Sequence, residues 1–387
     1  YAGIEGTFSR AYSYYLNANY APSEDQRFEF IMLGSPQRHG VNYFYQKKET
    51  YDTNGRYYNA LHNTVSDANW SKIGTKVQLP DWMPGSGWNN AEGERVADKS
   101  ITQRTNMFHK PIMQLNHSLK VADNMTLLTA AYYSGGEGGG TRYRGSRKYT
   151  SDGRADWNAV IQANTTSGMS SAGQALGLSG NLSGAIQATS RNNQYTYGLM
   201  PRLITDVNDQ LEVTVGLDWR TAKIEHYREV HSLLGGDYYY NTSNKNLSGK
   251  DNYKQLGDKI EYYDINTVDW TGFYGQAVYN AGPMNAFAVF SSTSASFSNE
   301  DQFVKGKKKI ESDAQSGSQM KLGGSYDLSD ALTVFGNFGL TTLTPAMDKV
   351  VDEDYGTLNV DYKPEKANFF DVGARFRQMN GMLTGGV

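Results

Sequence analysis

The chain has 387 residues, a formal net charge of −3, no cysteine and 38% apolar residues, with a mean hydropathy of −0.62. These values exclude a disulfide framework, cysteine-based zinc sites and thiol catalysis, and the near-neutral charge argues against a nucleic-acid binder. No run of eighteen apolar residues occurs, which excludes a transmembrane helix but not a transmembrane β-barrel, where only alternate residues face lipid. With 28 Tyr and 41 Gly against nine Pro, the composition fits a protein of long strands. Residues 1–10 lack a basic start followed by an apolar core, so no signal peptide is read there.

Period-two patterning predicts strands over 9–20, 26–34, 108–121, 125–133, 194–205, 211–228, 259–280, 284–297, 318–328, 331–341 and 367–378. In 211–221, Leu211, Val213, Val215, Leu217 and Trp219 share one face, and Glu212, Thr214, Asp218 and Arg220 the other. Segment 319–328 repeats this, with Met320, Leu322, Gly324, Tyr326 and Leu328 opposite Gln319, Lys321, Ser325 and Asp327. In 369–377, Phe370, Val372, Ala374 and Phe376 oppose Asp371, Arg375 and Arg377. The apolar stripes are expected to face lipid.

Connections alternate between two kinds. Those at 21–26, 121–125, 205–210, 280–284, 327–331 and 378–382 are tight and rich in turn-forming residues. Those at about 35–106, 134–193, 229–258, 298–317 and 342–366 are long and polar. An antiparallel meander with every tight turn at one end produces this order, as in outer-membrane barrels with short periplasmic turns and long extracellular loops. A β-sandwich would not sort loop length this way. Aromatics near segment ends, among them Tyr20, Tyr133, Tyr197, Trp219 and Tyr279, suit the two lipid–water interfaces, although Tyr and Trp are also good strand formers.

Several stretches resemble one family. Gly3-Ile-Glu-Gly-Thr-Phe-Ser-Arg-Ala-Tyr-Ser-Tyr-Tyr-Leu-Asn-Ala-Asn-Tyr20 and Phe30-Ile-Met-Leu-Gly-Ser-Pro-Gln-Arg-His-Gly40 resemble early barrel strands of TonB-dependent receptors of the Bacteroidota type. Asn106-Met-Phe-His-Lys-Pro-Ile-Met-Gln-Leu-Asn-His117 looks like the next strand start. Gly257-Asp-Lys-Ile-Glu-Tyr-Tyr263 with Trp270-Thr-Gly-Phe-Tyr-Gly-Gln-Ala-Val-Tyr279 is similar to a mid-barrel pair, and Lys363-Pro-Glu-Lys366 to the signature before a late strand. Pro-Glu-Lys alone is a weak signal; the ordered set is the strong one. The resemblance implies a 22-stranded barrel, an N-terminal plug and a TonB box. This sequence shows about eleven strands and a partial twelfth, with no plug-like segment, so residues 1–387 are expected to be the central part of such a barrel. An open sheet in lipid would leave unpaired edges, so missing strands or another chain are expected to complete the ring.

No nucleophile elbow, His-Glu-x-x-His or phosphate loop is present, and no catalytic residue, cofactor or metal site is assigned. The six His lack ligand spacing except for His226 and His231, and Asp352-Glu353-Asp354 with Gly356 lacks a full Ca²⁺ loop pattern. The candidate ligand contacts are Trp82 and Trp88 in the 35–106 loop, and Arg142, Tyr143 and Arg144 after the glycine-rich 135–140 segment. Trp and Tyr supply stacking area, and Arg directional donors; the same rings, with Trp70, could instead pack a loop core. The expected function is energised import of a nutrient across the outer membrane of a Gram-negative bacterium. The expected partners are lipid, TonB, a surface lipoprotein and a small-molecule, glycan or peptide ligand. A passive porin-like channel and a secreted glycan-binding β-protein are the alternatives, separated by energy coupling and by detergent-independent solubility. The scaffold does not identify the ligand.

Overall fold

The computed structural model describes residues 8–41, 65–73, 101–102, 104–151, 155–352, 356–378 and 383–386. In chain order the first strands are β1 (Phe8–Ala11), β2 (Tyr14–Ser23), β3 (Gln26–Gly34), β4 (Gln37–Val41), β5 (Arg104–His109), β6 (Ile112–Ala122), β7 (Met125–Gly145), β8 (Ala185–Asn208) and β9 (Leu211–Ser232). A small loop pair follows, β10 (Tyr239–Tyr240) and β11 (Tyr253–Lys254), then β12 (Lys259–Ala281), β13 (Met284–Asp301), β14 (Lys308–Glu311), β15 (Gln315–Ser329) and β16 (Leu332–Thr342). The last are β17 (Val351–Asp352), β18 (Thr357–Leu358), β19 (Lys366–Gln378) and β20 (Leu383–Gly386). Helices are short and confined to loops: α1 (Asp67–Ile73), α2 (Trp157–Thr165), α3 (Ser171–Ala175) and α4 (Met347–Val350).

Among the described residues, sixteen strands form one sheet, and its pairings are all antiparallel. Three wall strands are interrupted: β1 with β2, β3 with β4, and β5 with β6. The interruptions align, because Tyr14 opposes Gly34 while Ala11 opposes Gln37, and Ile112 opposes Leu33 while Phe108 opposes Gln37. Pro36 and Pro111 sit on this line. Proline has no N–H to give a ladder, but both carbonyls are used, accepting from Tyr12 N at 3.3 Å and Gly135 N at 2.9 Å.

The tight hairpins at 24–25, 123–124, 209–210, 282–283 and 330–331 fall at one end of the sheet and the long connections at the other. The expected turn near 380 lies outside the described residues. Directly paired residues point to the same face, so the register traces two faces. Leu16, Met32, Met113, Tyr133, Tyr197, Thr221 and Asp269 illustrate one line of that trace. One face carries Leu115, Leu199, Val215, Leu217, Trp219, Phe273, Phe290, Leu322, Phe338, Phe370 and Val372, all exposed apolar side chains. Val213 and Ala374 share it. The other carries Asn17, Glu29, Asn116, Arg202, Thr214, Asp218, Gln276, Lys321 and Asp371. The alternation predicted these faces correctly, and the apolar stripes do not enter a packed core.

Aromatic rings on the polar face lie over glycines directly opposite: Tyr132 on Gly198, Tyr274 on Gly216, Phe287 on Gly323 and Phe369 on Gly339. Each covers backbone that a side chain would otherwise shield.

The packed cores sit at the loop end. Trp157, Val160 and Ile161 of α2 pack with Val65, Ile73, Ile101, Ala185 and Leu234, joined by Trp70 and Tyr143. Asp156 caps α2, its carboxylate accepting from Ala159 N at 2.9 Å. Asn164 Nδ2 donates to the carbonyls of Ala185, Leu233 and Leu234 at 2.8–3.1 Å and pins the helix to the wall. A second cluster joins Ile186, Ala188, Val230, Leu233 and Ile260, and a third joins Ala295, Phe297, Val350 and Val351. The β7–β8 connection begins later than the pattern predicts, because β7 runs through the glycines to Gly145 and β8 starts at Ala185. Glycine weakens a strand only locally, and pairing on both sides holds this one.

Candidate ligand-binding cavity

The polar face forms a cavity of about 1240 Å³ at the loop end. Its walls come from β5, β7, β8, β9, β12 and β13. Strands so far apart along the sheet meet one space only if the polar face is concave. Asn106, Phe108 and Lys110 form one side, glycines of β7 the floor, and Ser190, Asn192, Gln194 and His226 the next wall. Lys245, Tyr262, Asp264 and Asp301 close the far side.

Hydrogen bonds fix much of this lining. His226 Nε2 and Asn192 Oδ1 lie 2.9 Å apart. Asn299 Nδ2 donates to Asp264 Oδ1 at 3.2 Å and to Asn266 Oδ1 at 2.8 Å. Asp264 and Asp301 oppose each other directly in the β12–β13 ladder, an unfavourable like-charge placement in isolation. Asp301 offsets it by accepting from Phe303 N at 2.7 Å.

At the cavity edge, Glu261 lies in a bulge of β12, between Ile260 and Tyr263, with a left-handed φ of 62°. A non-glycine residue there costs roughly 1–2 kcal/mol. Its carboxylate is shared by two arginines, from the adjacent β9 and from β7 further along the sheet: Arg228 hydrogen-bonds one oxygen, and Arg144 Nε lies 2.9 Å from the other. The Arg144 approach lacks hydrogen-bond alignment, and its Nε has no hydrogen-bond partner. Arg228 is nearly buried, stacks over Tyr262 and donates to Ser190 Oγ. Burial, and then the Glu261 charge, pushes the Tyr239 phenol up from its ordinary pKa. The arrangement is a fixed cationic patch that can orient an acceptor; no proton-transfer chemistry follows from it.

Strand alternation separates three of the sequence candidates. Arg142 and Arg144 point to the polar, cavity-bearing face. Tyr143 points to the opposite face, where it packs against Trp157 at 6.0 Å and donates to Ser146 O at 2.8 Å. Trp82 and Trp88 lie outside the described residues, as do Glu353 and Asp354 of the acidic run. Trp70 contributes to the loop core. His226 and His231 do not converge: His226 faces the cavity side and His231 is buried on the other. Sequence reading missed Glu261, Asn192 and Phe108. Only the period-two register of β5 and β8 could have placed the last two, and nothing in the sequence marks the bulge.

No family model and no curated protein matches the sequence. Solved structures do match in fold. The ferric citrate transporter FecA in its unliganded form is 12% identical with a TM-score of 0.56, over 99% of this chain and 43% of that one. The ferric-catecholate import receptor Fiu from E. coli K12 is 11% identical with a TM-score of 0.53, over 99% of this chain and 51% of that one. The siderophore receptor PiuA from Acinetobacter baumannii is 10% identical with a TM-score of 0.53, over 99% and 50%. This chain thus spans about half the length of these proteins or less. The likeness establishes the fold: an all-β, antiparallel, up-and-down sheet that forms part of a barrel wall of the kind these receptors share.

Proposed function

We propose that this chain is part of the wall of a TonB-dependent importer in the outer membrane of a Gram-negative bacterium, of the Bacteroidota type. The observation that carries the reading is the two-faced wall. A continuous apolar band on one face suits hydrocarbon, and a polar concave face opens into a ligand-sized cavity at the loop end. The ordered sequence resemblance and the fold of three import proteins support the same reading. A nutrient enters the cavity from outside, and TonB supplies the energy through parts of the protein other than this wall. Lipid, and a surface lipoprotein over the loop end, are the further partners. Binding and transport, without covalent chemistry, are the activity.

The test is nutrient uptake by cells with and without the intact gene. Uptake should fall in the deletion strain and should also collapse when the proton-motive force is dissipated. Uptake that persists without the force would identify a passive channel instead.

A further inference from the structure

Residues 134–140 read Ser-Gly-Gly-Glu-Gly-Gly-Gly in the middle of β7. Glycine weakens a strand interior, so each one needs a cause: a positive φ, a tight contact, or the close approach of something else. None of these glycines has a positive φ. Of the two that face away from the cavity, Gly139 is required by packing and Gly135 is closely fitted. A Cβ on Gly139 would meet Ser190 O and Thr189 Cγ2 at 2.7 Å, and one on Gly135 would meet Tyr133 Oη at 3.0 Å and Pro111 Cγ at 3.1 Å.

The cavity side differs. Among the described residues, a Cβ on Gly140 would meet nothing nearer than Thr105 O at 3.8 Å, and one on Gly136 nothing nearer than Gln194 O at 3.4 Å. Gly138 between them is fitted more tightly, against Met107 O at 3.0 Å and Phe108 Cβ at 3.1 Å. Two glycines therefore lack any cause among the described residues, and both lie on the floor of the cavity.

We propose that Gly136, Gly138 and Gly140 form a bare backbone platform on which a flat-faced ring with a hydrogen-bonding rim is bound. The proposal rests on the import reading and names the shape class of the ligand. The platform spans about 14 Å, four residues at roughly 3.4 Å each. With no side chain of the described residues above it, a flat face is the shape that reaches van der Waals contact along its length. Its borders suit the rim of such a ring. On the β5 side Asn106 opposes Gly140 and Phe108 opposes Gly138, and Phe108 offers an apolar wall backed by Lys110 at 5.6 Å from its ring. On the β8 side Ser190 opposes Gly140 and Gln194 opposes Gly136, with Asn192 between them. Asn106, Ser190, Asn192 and Gln194 are themselves uncharged, with Ser190 Oγ held by Arg228 and Asn192 by His226, so the rim presents oriented amide and hydroxyl groups to hydroxyls or ring heteroatoms. Both a sugar ring and a planar aromatic chelator have this chemistry.

The experiment uses the intact purified protein in detergent micelles, with neutral oligosaccharides and with catechol and porphyrin chelators as separate probe sets. Gly140→Val and Gly136→Ala should fold with unchanged or slightly higher thermal stability, yet bind a flat-faced probe at least tenfold more weakly. The probe set that responds identifies the ring type. Gly139→Ala should behave oppositely, lowering stability through its clash on the far face. If Gly140→Val fails to fold, Asn192→Ala keeps the test open, since loss of a rim partner should weaken the same probe. Full-affinity binding by both glycine variants, or no binding of any flat-faced probe by the wild type, overturns the platform. Energised uptake in cells that persists alongside that result would leave the import reading standing, whereas passive uptake with a platform effect would overturn import alone.

Discussion

Replacing Val215 with Arg tests the membrane placement of the wall most directly. Val215 lies on the apolar face of β9, 44% exposed, paired with Gly275 and Leu203. The apolar stripe of β9 runs from Leu211, opposite Tyr279, to Trp219, and the next pair on that face is polar, Thr221 donating to Asp269 at 2.6 Å. Eight residues at about 3.4 Å, on a strand tilted about 40°, rise roughly 20 Å along the membrane normal, close to the apolar band of about 25 Å in such barrels. Val215 is the midpoint. An arginine there should cost about 2–4 kcal/mol, and at Thr221, near the interface, about 0–1 kcal/mol. Thr214→Arg, one residue away on the polar face, should cost little, because its guanidinium stays hydrated. The assay is reversible urea unfolding of the intact protein in phospholipid vesicles, followed by tryptophan fluorescence. Equal costs for Val215→Arg and Thr214→Arg, or a larger cost for the latter, would refute the assignment of the apolar face to lipid.

Glu261→Ala should destabilise the loop end by about 1–3 kcal/mol, since nearly buried Arg228 loses its carboxylate, while Glu261→Gly should be milder by about 1 kcal/mol because glycine relieves the left-handed backbone; chemical denaturation compares them. Trp157→Ala should cost the α2 loop core about 3–5 kcal/mol, read as faster amide exchange over 156–166 while exchange in β9 and β12 is unchanged. Burial holds the Lys254 ammonium below its ordinary pKa, so the native state releases that proton before the unfolded chain does. Stability of the loop should therefore rise with pH from the depressed value up to about 10.4, measured as slower proteolytic nicking of 233–258, and Lys254→Met should abolish the slope.

The wall was largely legible in the sequence because its faces are set by a period of two, and the stripe Val213, Val215, Leu217 carries that period without interruption. The tight turns were legible from their Asn, Asp, Gly and Pro content. The extent of β7 was not: glycine is depleted in strands, so 135–140 read as a loop, and only pairing with β5 and β8 makes it a wall. The candidate site was barely legible. Arg142 and Arg144 lie on the cavity-bearing face without lining the cavity, and Tyr143 between them points away, since neighbours in a strand point to opposite faces. Glu261 was invisible because a left-handed bulge at a non-glycine residue leaves no local signature; three-dimensional contact with Arg144 and Arg228 holds it there.

If the apolar face lies in hydrocarbon as proposed, its upper edge on β9 falls between Trp219 and Thr221, where that face gives way to the polar pair Thr221 and Asp269. The interruptions at Pro36 and Pro111 do not mark that edge by themselves, because Pro201 of β8 opposes Thr129 between Leu199 and Leu203, inside the apolar band. Along the register, Tyr133 opposes Tyr197, which opposes Thr221, so Gly136 to Gly140 lie further toward the loop end of β7 than the residue in line with that edge. Most of the cavity lining (Asn106, Phe108, Gly136–Gly140, Ser190, Asn192 and His226) lies on the loop side of that level. On the proposed reading, a ligand held there is outside the bilayer and in reach of water.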